Sequence, residues 1–87
     1  MPLFAVSEET GETLWKFETK GAISANPILH RDMIFIGSYD KNFYCISARD
    51  GAMLWKYETE NRIRTTAVIW KDNLFFASDD NQIYCFK

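Results

Sequence analysis

Apolar and polar residues alternate along this chain in short runs, and turn-forming residues break the runs every few positions. Ala22 to Leu29 is one such run, ended by His30-Arg31-Asp32. Met33 to Gly37 follows and stops at Ser38-Tyr39-Asp40-Lys41-Asn42; Phe43 to Ser47 stops at Ala48-Arg49-Asp50-Gly51. Ala52 to Tyr57 is the fourth, leading into the polar link Glu58-Thr59-Glu60-Asn61. The runs are rich in β-branched and aromatic residues and show no helical spacing, so each predicts a β-strand. Asp and Asn stabilise the turns by bonding to nearby backbone, and glycine supplies positive φ where a turn needs it.

The pattern then repeats. A shift of 40 residues without gaps aligns Ser7 with Ser47, Gly11 with Gly51, Leu14-Trp15-Lys16 with Leu54-Trp55-Lys56, and Glu18-Thr19 with Glu58-Thr59. Ile23/Ile63, Asp32/Asp72, Phe35/Phe75, Ser38/Ser78, Asp40/Asp80, Tyr44/Tyr84 and Cys45/Cys85 continue the register. A period near 40 marks a repeat architecture. Four antiparallel strands in about 40 residues make one blade of a β-propeller, so the fold class is all-β.

Ala5-Val-Ser-Glu-Glu-Thr-Gly11-Glu-Thr-Leu-Trp15 and Cys45-Ile-Ser-Ala-Arg-Asp-Gly51-Ala-Met-Leu-Trp55 resemble the tryptophan-docking motif of PQQ-like repeats. Asn26-Pro27-Ile28-Leu29 and Phe35-Ile36-Gly37-Ser38-Tyr39-Asp40 continue the likeness. That family builds eight-bladed propellers, among them quinoprotein dehydrogenases and BamB-type outer-membrane assembly scaffolds. Ser7 and Ser47 stand where the pattern usually has Asp, and Cys45 where it has Ala. The resemblance implies that Ala5, Gly11, Trp15, Cys45, Gly51 and Trp55 form docking elements in which each indole packs on the neighbouring blade's turn. A buried indole covers a large area and wants a partner for its N–H, so stability and register both gain.

In blade order the chain opens with a third strand, Leu3 to Ser7, and an outer strand, Thr13 to Phe17. Residues 1–21 are then the end of one blade, 22–61 a whole blade, and 62–87 the first three strands of another. The last of these, Gln82-Ile83-Tyr84-Cys85-Phe86, has an unpaired edge, and Thr13-Leu14-Trp15-Lys16-Phe17 is the kind of strand that would cover it. Exposed edges recruit strands from other chains. The expectation is a homo-oligomer held by strand exchange, with a tetramer giving eight blades in a closed ring. The competing expectation is an excerpt of a longer chain.

Composition agrees with a need for partners. The chain has 87 residues, 47% hydrophobic and 16% aromatic, a heavy apolar load for one small domain. Ten basic and twelve acidic residues are interspersed, which leaves no basic stripe for nucleic acid. No apolar run is long enough to insert in a membrane. The N-terminus lacks the basic start and apolar stretch of a signal peptide, which places the chain in the cytoplasm if it is complete.

Catalytic and cofactor chemistry find little support in the residues, and the expectation is a scaffold with no enzyme activity and no cofactor; the alternative is a fragment of a PQQ- or other cofactor-binding quinoprotein-type enzyme whose other blades are missing. His30 is the single histidine, and Cys45 and Cys85 are neither adjacent nor a Cys-x-x-Cys pair. At equivalent points of packed sheets the two thiols would lie about 10 Å apart, too far for a disulfide. They read instead as small buried hydrophobes. Gly11, Gly21, Gly37 and Gly51 are isolated, so no phosphate loop exists. Ser24, Asn26, Arg64 and Thr66 are candidates to face a central channel and bind a small molecule or peptide.

Overall fold

The computed structural model describes residues 2–23 and 26–86. Nine strands form three antiparallel sheets. β1 (Pro2–Val6) pairs with β2 (Thr13–Glu18) in a two-stranded sheet. β3 (Ile28–His30), β4 (Met33–Gly37), β5 (Asn42–Ser47) and β6 (Met53–Glu58) follow one another in a four-stranded sheet. β7 (Val68–Trp70), β8 (Asn73–Ala77) and β9 (Ile83–Phe86) make a three-stranded one.

The 40-residue repeat extends to individual dihedrals. Gly11 and Gly51 have φ of 77° and 76°, and Lys41 and Asn81 have 78° and 67°. Arg31 and Asp32, at 51° and 62°, match Lys71 and Asp72, at 49° and 63°. His30↔Met33 and Trp70↔Asn73 close these two-residue hairpins. Positive φ at both central residues is the type I′ signature, whose twist suits the flanking strands. Both outer-strand pairings also slip at the same point, between Ala5 and Val6 and between Cys45 and Ile46.

Among the described residues of the run from Ala22 to Leu29, Ile28 and Leu29 pair with β4, together with His30 beyond the run. The preceding backbone is spent elsewhere. The Ala22 carbonyl accepts from Tyr39 N, and the Asn26 N–H donates to Thr66 Oγ1 of the next repeat. Pro27 has no N–H to offer a ladder. Gln82 also falls outside its strand, its N–H turned back to Asp80 Oδ1.

Alternation assigns the two faces of the middle sheet to two cores. Ile36, Tyr44 and Ile46 pack against Leu3, Trp15, Phe17 and Ile23. Phe35, Phe43 and Cys45 pack against Ile63, Ala67, Leu74 and Phe76. Gly37 lets Ile63 approach so closely that a Cβ at Gly37 would overlap its side chain. No helix occurs among the described residues, and none is long and apolar enough to cross a membrane.

Candidate interaction site at the ends of the repeat

The Trp15 indole reaches across to the turn that links β5 and β6. Its Nε1–H donates to the Ala48 carbonyl at 3.1 Å, and the ring lies over Gly51. A Cβ at Gly51 would sit 2.6 Å from Trp15 Cε3 and 2.7 Å from Cδ2. The turn is held by Gly51 N–H to the Ser47 carbonyl and Ser47 N–H to the Ala52 carbonyl. Serine fills the role of the usual aspartate, since Ser47 Oγ accepts from Arg49 N and Ser7 Oγ accepts from Glu9 N and Thr10 N.

Gly11 sits in an identical turn, closed by Gly11 N–H to the Ser7 carbonyl, yet a Cβ built there would meet nothing within 4 Å. Trp55 stacks on Phe86 at 5.3 Å and 14° and borders an open groove. Ala5 pairs with Trp15, and Cys45 with Trp55, on the adjacent strand.

Cys45 is a buried free thiol, pushed to a higher pKa by burial. Cys85 departs from the expected buried slot: it is free and exposed, because its face of β9 turns away from the middle sheet. Along β2, Thr13, Leu14 and Lys16 are exposed while Trp15 and Phe17 face inward. On β9, Ile83 is exposed, while Tyr84 and Phe86 pack inward.

The channel candidates separate. Ser24 lies outside the described residues. Asn26 and Thr66 are brought together by their hydrogen bond. Arg64 reaches Asp79, with Nε 2.9 Å from Oδ2, beside Arg62 at 2.8 Å. The Arg62 hydrogen bond, reinforced by Arg64, holds Asp79 below the usual carboxylate range. Arg62 also lies over the Tyr39 ring at 5.2 Å.

Asp40 and Asp80 tie neighbouring sheets together. Each accepts from a tyrosine on its own sheet, Tyr44 or Tyr84, and from a backbone N–H of the preceding link, Lys20 or Glu60. Burial alone would raise the Asp40 pKa, but bonds from Tyr44, Asn42 and Lys20 outweigh it and leave the carboxyl below its ordinary value. The bond to Asp80 pushes Tyr84 up to about 12. Both carboxylates are thus engaged by protein donors. Among the described residues, no cluster of three His, Cys, Asp or Glu is placed to hold a metal.

Sequence reasoning missed the basic side of the Trp55 groove, where His30 and Arg31 both reach Asp72 at 3.5 and 2.9 Å.

Sheets stacked at a 40-residue interval, with an outer-strand tryptophan seated on the next sheet's turn, define a β-propeller of PQQ-like repeats. The sequence model of the family described as outer membrane protein assembly factor BamB matches residues 3–87, and the chain belongs to that family. The crystal structure of BamB from Moraxella catarrhalis is similar, with 25% identity and a TM-score of 0.84. The match covers 98% of this chain and 27% of that one, so the chain spans about a quarter of its length. The computationally designed Ika4 protein is similar at 14% identity and a TM-score of 0.80, over 95% of this chain and 52% of its own. A europium-containing methanol dehydrogenase is similar at 16% identity and 0.72, over 97% of this chain and 14% of its own. These last two likenesses concern the fold alone. No curated protein matches the chain significantly.

Proposed function

We propose that the chain is a non-enzymatic propeller module that acts as a scaffold for protein–protein contact and assembles with copies of itself. One observation carries this reading: the same repeat positions are sealed in the middle sheet and bare at the two ends. Tyr44 is 6% exposed and its counterpart Phe4 53%; Phe43 is 0% exposed and its counterpart Ile83 78%. Counterparts of residues that a neighbouring sheet covers in the middle sheet thus line both outer faces, and apolar patches of this kind mark interaction surfaces. The free edge of β9 adds unpaired backbone groups to the tail face. The family's description as an outer membrane protein assembly factor supports a role in contact rather than catalysis.

The chain forms a closed homo-oligomer, with four copies supplying eight blades. Native mass spectrometry and light scattering across a concentration series test this, and a stable monomer throughout would sink it.

A further inference from the structure

We draw no further inference here: the strongest candidate, the Arg62–Arg64–Asp79 cluster beside Tyr39 at the link into the third sheet, closes on itself, since Asp79 accepts from both guanidinium groups, and nothing in the structure shows what else would bind there.

Discussion

The two sheet-to-sheet interfaces repeat the same positions but fill them differently. In the first, Leu3 and Ile36 hold equivalent places to Phe43 and Phe76 in the second. There an aliphatic pair is replaced by parallel rings 3.9 Å apart at 2°. One aromatic contact is retained in both: Phe17–Tyr44 at 5.1 Å and Tyr57–Tyr84 at 5.4 Å. The first interface adds an indole hydrogen bond to the facing turn, and the second adds Trp55 stacked on Phe86. The repeat therefore decides which residues face a neighbour, while the non-identical positions decide whether the gap is closed by a clasp or by stacked rings.

The largest expected effect comes from emptying the ring stack. Phe43→Ala leaves a cavity between two sheets and costs about 3–5 kcal/mol. Ile83→Ala, at the same repeat position but exposed, stays within about 0.5 kcal/mol in dilute monomer. Urea unfolding of both variants checks the contrast, and similar losses would mean that the third sheet is not anchored through Phe43.

The clasp gives the next contrast. Gly11→Ala and Gly51→Ala share the left-handed backbone, which costs a side chain about 1 kcal/mol. At Gly51 the new methyl also overlaps the Trp15 ring, and such overpacking adds about 2 kcal/mol. Gly51→Ala therefore destabilises by about 3 kcal/mol and Gly11→Ala by about 1, measured by urea unfolding below the association range. Equal costs would show that the indole moves aside freely.

These contrasts follow what was legible in the sequence. Strand positions, the period and the glycine turns were visible because alternation and positive-φ glycine are local signals. The type I′ hairpins at Arg31-Asp32 and Lys71-Asp72 were visible as turns but not by type, since that conformation normally selects Asn-Gly. Periodicity across Ala22 to Leu29 does not reveal where backbone donors go, such as Asn26 N–H to Thr66 Oγ1. Cys85 looked buried by likeness to Cys45, yet burial depends on a neighbouring sheet and not on the residue. Arg64 pairs with Asp79, a carboxylate whose equivalent in the first repeat is Tyr39, and the period gave no sign of that pair. Non-local partners of this kind leave no mark on local pattern.

The smallest expected effect separates the two interfaces by pH. Asp40 joins the first interface and Asp80 the second, and both carboxyls sit below their ordinary value of 3.8 when folded. For Asp40 burial opposes the shift, and the Tyr44 and backbone donors prevail; Asp80 follows the same order with Tyr84, Glu60 and Gln82. A folded carboxyl with the lower pKa keeps its charge where the unfolded chain takes up a proton. Its contribution is therefore complete above about pH 4 and is lost as pH falls through the folded value. The partner tyrosines work at the other end. Tyr84 is raised from 10.0 to about 12, so its contribution is complete below pH 10 and fades as pH rises through about 12. Asp40→Asn and Asp80→Asn should each flatten the acid limb of stability against pH. The effect is larger for Asp40, whose partner Tyr44 is buried, than for Asp80, whose partner Tyr84 is only half-buried. Urea midpoints at pH 7 and pH 3 for the wild type and both variants measure it. A larger change for Asp80→Asn would make the second interface the more dependent on its hydrogen bonds, despite its stacked rings.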